Sequence, residues 1–593
     1  MVSDTPYRIA IVGMGPRGLG CLERLAIELA RGPVHREVQI TLHDPAPHPG
    51  AGPIYEPGQP GELLMNLAAR HITAWSVDAA ELVGGRGEDL LGWLGRHHPA
   101  WAVGHAYVPR RLVGAYFAAA FGVLLGGLPP GLVVTPVRAA VTDLQRLDGG
   151  WWVGHAEPSA DRQVDEVMCT VGHGVRPSGS RSGRGTVAAL PPDDPAALML
   201  RPYPVRRALG PAQVPPGSVV GVRGFALTFV DVALHLTVGR GGRIDGVEEL
   251  DRAGAPWPVY TPAADSVMGL VPWSRTGAPL LAKPGPALTL ASAELEEDWV
   301  ELRAALRAAD AEDPVTAIVG TLAHAAVTAL ARLGAPTDHR TRAAIAALLD
   351  PDPLHAAAHD LHDGRGALTA MRHSVGVALG RRPPDAAWAV GEVWRRGYPG
   401  LVDRVGHGGL AGPARPRFAA LARRLERVGF GAPVNNVARL VALADAGTLD
   451  LGHLRCATVV SDHGRLMLTG PERSRPVDVV IDSVLDPPGA DHDTPLWGAL
   501  LHRGAARIGS GTSGIEVAPD ATCIGSDGRP TPGLAAIGRA TEGWVLGNDT
   551  LNRTLHGETA GWARRVARDL HAMHVTESMS VSDPSAAPLG VLP

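Results

Sequence analysis

Lysine is all but missing from this chain: of its 55 lysine and arginine residues only Lys283 is lysine. Arginine serves nearly everywhere a cation is needed. With heavy alanine, glycine and proline usage, this points to a GC-rich coding genome and warns against over-reading any single arginine. Cysteine is also scarce. Cys21, Cys169, Cys456 and Cys523 form no CxxC pair, which argues against a zinc cage or a dithiol-reductase motif, and no metal is expected. Net charge is only -5, so nothing suggests nucleic acid or an anionic membrane as a partner. No apolar run reads as long enough to cross a bilayer, and the first residues carry no signal pattern. The expectation is a soluble, cytoplasmic protein of undetermined oligomeric state.

What is present is size and order. A chain of 593 residues exceeds one core, so two or three packed units are expected, and a hydrophobic share of 45% is that of ordinary globular proteins. Residues 8–12 read as a buried strand, 21–29 as a helix and 38–42 as a second strand ending at Asp44. Residues 131–171 read as a β-meander, 175–197 as a linker and 292–427 as helical throughout. Strands return near 456–485 and 533–538, and a last helix is expected over about 551–572.

The strongest motif is Gly13-x-Gly15-x-x-Gly18 between the first strand and helix. Gly13 permits the tight turn, Gly15 lets backbone approach a pyrophosphate, and Gly18 lets helix and sheet pack closely. The helix N-terminus, from Pro16 and Arg17, adds free N–H groups and a positive dipole end. Asp44 ends the second strand, where an acid hydrogen-bonds ribose. Strand, helix and acid together predict dinucleotide binding. A second strand-turn-helix carries Arg223, Gly224, Ala226 and Thr228, with alanine where a second glycine would fit. Arg223, Arg240 and Arg243 are candidates for a 2′-phosphate, favouring NADPH over NADH, against the alternative of solvated surface arginines.

Residues 9–20 (IAIVGMGPRGLG) resemble the opening of bacterial FAD/NAD(P)-binding proteins that include flavin-dependent aspartate N-hydroxylases of nitrosuccinate pathways. Leu64-Met65-Asn66, residues 107–116 (YVPRRLVGAY), the Gly224 motif with Asp231, and Ser274-Arg275-Thr276-Gly277 resemble further segments of that family. The resemblance implies an α/β fold of two Rossmann-like dinucleotide-binding domains with a mainly α-helical insertion. The expected division is 1–185 and 491–574 for FAD, 196–291 and 428–490 for NAD(P)H, 292–427 for the insertion and 575–593 as a disordered tail.

It also implies FAD and NADPH as cofactors, O2 and a small molecule as partners, and N-hydroxylation of the primary amine of a small acidic amino acid in specialised metabolism. Such chemistry belongs to the cofactor, so no side-chain nucleophile is required. Met65, Asn66, Arg70 and His71 are expected near the isoalloxazine, with Asn66 the foremost flavin contact and a helix cap its bland alternative. Arg110 or Arg111 is a candidate for a substrate carboxylate, against a structural ion pair. Gly172, His173, Gly538 and Asp549 are further flavin-side candidates, and Ser274 and Arg275 belong with the nicotinamide nucleotide. Rival readings are a flavin oxidase or dehydrogenase with the same two sites, or a non-catalytic flavin-binding scaffold, which Ala226 favours.

Overall fold

Tyr7–Val12 (β1) is buried at every position except Arg8, as suits a central parallel strand covered on both faces. In this computed structural model, residues 5–580 are described except 35, 173–198, 253, 310, 353–362, 456, 463–464, 472, 486–488, 490–493 and 549. Pro16–Ala30 (α1) follows β1 and leads to Val38–His43 (β2), which pairs in parallel with β1. After the helix Arg110–Leu125 (α2), the strands Leu132–Val137 (β3) and Glu166–Cys169 (β4) extend the sheet on its two sides.

The expected meander therefore divides. β3 and β4 join the parallel sheet, while Val141–Leu147, Gly150–His155 and Arg162–Val164 form a separate antiparallel sheet.

A second parallel sheet is built on Val219–Arg223 (β5), which leads into the helix Leu227–Leu236 (α3). Its neighbours are Gly269–Trp273 (β6) on one side and, far along the chain, Val479–Asp482 (β7) on the other. Of the strands expected to return over 428–490, only β7 rejoins this sheet. Thr458–Asp462, Arg465–Thr469 and Ser474–Val477 form their own antiparallel sheet.

Helices run from Pro286–Ala293 to Val434–Asp445, wider than the expected 292–427. Most share a core around Trp299, Leu322, Trp394 and Phe418. The last one instead buries Val437, Leu440 and Val441 against the core of the second sheet. Among them Ala386–Val405 (α4) borders the site described below. The helix Pro314–Arg332 is, by length and composition, apolar enough to cross a membrane, which corrects the sequence reading. Its buried residues Val315, Ile318, Leu322 and Leu330 pack into the helical core.

The chain then returns to the first sheet. Thr522–Ile524 (β8) is an antiparallel edge, and Pro530–Ala536 (β9) lies parallel to β4, giving the order β8-β9-β4-β1-β2-β3. Glu558–Ser580 (α5) packs on α1 and runs beyond the expected end near 572, into the segment expected as a disordered tail; residues 581–593 lie outside the described residues.

Candidate functional site

The glycine turn after β1 is closed by main chain. Gly13 sits at φ +98°, and a Cβ there would lie 2.8 Å from the Thr170 carbonyl oxygen. A Cβ on Gly18 would lie 2.2 Å from the Gly13 carbonyl oxygen, so the close helix–strand contact requires glycine. Gly15 differs: a Cβ there would meet only the Gly52 Cα, at 3.8 Å. Fold contacts therefore do not demand glycine at 15, whereas a pyrophosphate lying against it would.

Gly15 is the N-cap of α1, offers no side-chain cap, and no acidic residue occupies the first turn. The helix thus presents its first N–H groups unclaimed by side chains. The Asp44 carboxylate accepts from Met14 N at 2.6 Å and Ala46 N at 2.8 Å, which holds it beside the turn. From the far end of the chain, Gly538 at φ +83° approaches the Arg17 side chain, and Arg17 donates to the Asn548 carbonyl at 2.9 Å. Bare helix start, open Gly15, ribose acid and returning C-terminal turn together fit the diphosphate and ribose of FAD.

From this cradle the site continues under the helical region. A Cβ on Gly547 would collide with the Tyr398 ring of α4, and Tyr398 meets Phe430 edge-on at 5.0 Å. Asn66 donates to the Phe430 carbonyl at 3.3 Å, while its Oδ1 is buried with no hydrogen-bond partner among the described residues. A buried acceptor left unpaired is costly, so it marks a position for an N–H or O–H of a ligand. The Lys283 amine donates to the Asn66 main-chain carbonyl. Met65 is buried in the first core, and its N–H donates to Val108.

Around Asn66 stands a cluster of cations. Arg395 and Arg396 of α4 both bind Glu392, which is 4% exposed, and Arg396 also donates to Ser292. Burial works against ionising Glu392, but Arg395 and Arg396 outweigh it and hold its pKa at about 2. Arg70 donates from Nε to His71 at 3.1 Å. Burial, then Arg70, Arg396 and Lys283, push the His71 pKa down, so it stays neutral more readily. Burial, then Arg395, lowers the Lys283 pKa to about 7, although the residue as a whole is only half-buried. Sequence reasoning placed Asn66, Arg70 and His71 here but missed Lys283, Glu392, Arg395 and Arg396. The isolation of the lone lysine was the one visible signal.

Several expected roles do not survive the geometry. Arg110 directs both terminal nitrogens at Asp231, at 2.5 and 3.1 Å, and Tyr203 also bonds Asp231. Its fork is therefore spent on an ion pair between the first unit and α3. Arg111 is exposed beside Gly61.

Arg223 binds Asp482 at 2.9 Å, and exposed Arg243 pairs with Asp245. Arg240 donates to the carbonyls of Val214 at 2.7 Å and Leu209 at 3.0 Å. Arg223 and Arg240 are structural here, and the 2′-phosphate argument loses them, while Arg243 stays in an exposed surface pair. Arg275 is exposed and engaged, and Ser274 Oγ accepts from Gly277 N at 3.0 Å. Gly172 is exposed just past β4, while His173 and Asp549 lie outside the described residues.

The second turn keeps its frame. Gly224 has φ +104°, a Cβ there would crowd Ser483 Oγ at 2.7 Å, and Ala226 begins α3 without a side-chain cap. Thr228 is buried in its first turn. Leu280, Met371 and Val437 pack against Phe225, Phe229 and Val230 beside it.

This fold and cradle fit a bound dinucleotide such as FAD. Residues 10–174 match the family described as FAD-NAD(P)-binding, in agreement with the resemblance read from the sequence. The chain is 31% identical over 264 residues to an L-aspartate N-monooxygenase (nitrosuccinate-forming) of Streptomyces cremeus, covering 40% of this chain and 38% of that protein. It is 29% identical over 257 residues to the nitrosuccinic acid synthase npaA of Aspergillus oryzae, covering 40% and 36%. The chain thus spans less than two fifths of the length of these relatives. Among solved structures, an L-lysine 6-monooxygenase from Pseudomonas syringae aligns over 96% of this chain and 99% of its own at 13% identity, with a TM-score of 0.47. That likeness is too loose to bear on the site.

Proposed function

We propose that the chain is an FAD-dependent monooxygenase that uses NADPH and O2 to N-hydroxylate the primary amine of a small acidic amino acid in specialised metabolism. The observation that carries this reading is the cation cluster around Asn66. Lys283, Arg395, Arg396 and Arg70 gather there beside His71, with Glu392 bound by Arg395 and Arg396 and Glu296 3.9 Å from Arg396. Such a field attracts a substrate bearing carboxylates. The partial similarity to aspartate N-monooxygenases favours aspartate as the first compound to test.

Bound FAD would supply the redox chemistry, passing electrons from NADPH to O2. The chain's own residues bind, orient and exclude water. Gly15, the start of α1 and Asp44 would hold the diphosphate and ribose, with the second turn at Gly224 taking the nicotinamide nucleotide. Asn66 Oδ1 is available to a flavin or substrate N–H. Two cations near one substrate fix its carboxylates and so its amine, and positioning of this kind is a large part of catalysis in two-substrate reactions. The test is product analysis with aspartate, NADPH and labelled O2.

A second reading, a flavin-binding protein that no nucleotide reduces, is favoured by Ala226 and by the apolar packing beside its turn. Bleaching of the yellow protein by NADPH would exclude it.

A further inference from the structure

Lys283 is the only lysine among 55 cationic lysine and arginine residues, in a chain where arginine has filled every other such position. A site that needed only positive charge would accept arginine too. Lysine alone offers a titratable amine on a flexible stem, whereas a guanidinium does not lose its proton in this range. The position also lies against the one buried acceptor of the cluster that a ligand N–H could meet. The Lys283 amine donates to the Asn66 carbonyl, on the residue whose Oδ1 is left without a partner.

We propose that Lys283 is the base that accepts the proton from the ammonium group of the amino-acid substrate. The assignment rests on the monooxygenase reading above. An ammonium nitrogen has no lone pair and cannot take up oxygen, so an N-oxygenase must first produce the free amine. In the step proposed, one N–H bond of the substrate ammonium breaks and a new N–H bond forms on Lys283 Nζ. Substrate becomes neutral amine, Lys283 becomes ammonium, and charge is conserved. Lys283 returns the proton to water between turnovers.

The surroundings favour this direction. A neutral Lys283 amine can donate one N–H to Asn66 while keeping its lone pair for the incoming proton. Arg395 opposes a resident positive charge on Lys283. Arg396 and Arg70, the other guanidinium groups of the cluster, act on the neighbouring His71, and Glu392 is already bound by Arg395 and Arg396. Burial and Arg395 bring the Lys283 pKa to about 7, near the working range expected of a general base. A substrate with two carboxylates compensates the charge that Lys283 gains.

The lone lysine makes the test direct. In the FAD-loaded full chain labelled with [13Cε]lysine, one side-chain NMR signal reports Lys283. The expected midpoint is about 7, and a midpoint at the ordinary lysine value of about 10.4 would overturn the assignment. A second measurement follows N-oxygenated product against pH in K283R, which keeps the cation but not the base. It should lose roughly 10²–10⁴-fold of product formation at neutral pH and recover as pH rises toward the substrate amine's own pKa. An acid limb identical to wild type would equally overturn it. A wild type that oxygenates no acidic amino acid removes the monooxygenase reading and this assignment together. A wild type that oxygenates, with an ordinary Lys283 midpoint, removes this assignment alone.

Discussion

Arg110 at the start of α2 and Asp231 in α3 form a bidentate ion pair across 121 residues of chain, with Asp231 only 3% exposed. The pair joins the first unit to the helix that follows the second glycine turn, and Tyr203 adds its hydroxyl. Removing one partner leaves an uncompensated buried charge, which costs about 3–5 kcal/mol. D231A should therefore lower the midpoint of chemical denaturation sharply, while a paired R110M/D231L variant recovers much of the loss. Equal stability of D231A and wild type would mean the pair is idle.

Gly15 and Gly18 should separate under substitution. G15V meets little protein, so it should fold yet purify without flavin colour. G18V drives a Cβ into the Gly13 carbonyl oxygen and should fail to fold. Circular dichroism together with the flavin absorbance ratio reads both. Wild-type flavin content in folded G15V would move the pyrophosphate elsewhere.

Asp44 holds the turn through Met14 and Ala46 and faces the expected ribose. A hydrogen bond to a charged group contributes roughly 1.5–3 kcal/mol, so D44A should weaken FAD binding by about 10- to 150-fold. Fluorescence titration of apoprotein with FAD measures it, and an unchanged Kd would place the ribose acid at another residue.

Arg240 should matter to stability and not to nucleotide choice, since it caps the carbonyls of Val214 and Leu209. R240A should leave the ratio of NADPH to NADH reduction rates unchanged while lowering the unfolding midpoint. A ratio that falls toward one would restore Arg240 to the 2′-phosphate.

The legible part of this protein is the part whose partners are near in sequence. Gly13, Gly15, Gly18 and Asp44 lie within one strand-turn-helix-strand unit, so their spacing carries their geometry. Arg110 stayed open between a substrate clamp and an ion pair, because its partner Asp231 lies 121 residues away and meets it only in the folded chain. Arg240 was misread because its partners are main-chain carbonyls, which no side-chain pattern reveals. The helical region read as alanine, leucine and arginine periodicity. Nothing in that periodicity distinguishes Arg395 and Arg396, which turn toward Glu392 and the cluster at Asn66, from arginines on a solvated face. Lys283 was visible as a singularity, but its meaning waited on its contact with Asn66.

His407 and Glu558 form a pH-dependent tie, at 2.8 Å, between the end of α4 and the start of α5. Burial opposes charge on both, but Glu558 and the Val517 carbonyl outweigh it at His407, whose pKa is raised, and His407, the Glu558 main-chain N–H and His556 outweigh it at Glu558, whose pKa is lowered. The His407 contribution is full below the ordinary histidine value of about 6.5 and is lost as pH rises through its raised folded value. The Glu558 contribution is present above about 4.3 and is lost as pH falls through its lowered folded value. Wild type should therefore lose more stability than H407Q as pH rises above about 6.5, as read by thermal unfolding at each pH. Parallel curves would show that the tie does not contribute.

Oxygen transfer to a substrate amine is read from where the oxygen ends up. The most direct measurement is mass spectrometry of the product formed from aspartate, NADPH and ¹⁸O₂ by the FAD-loaded chain. The expected product carries one or more ¹⁸O atoms on nitrogen and forms in step with NADPH oxidation. A chain that oxidises NADPH yet returns only hydrogen peroxide, with aspartate and every other acidic amino acid unchanged, would contradict it.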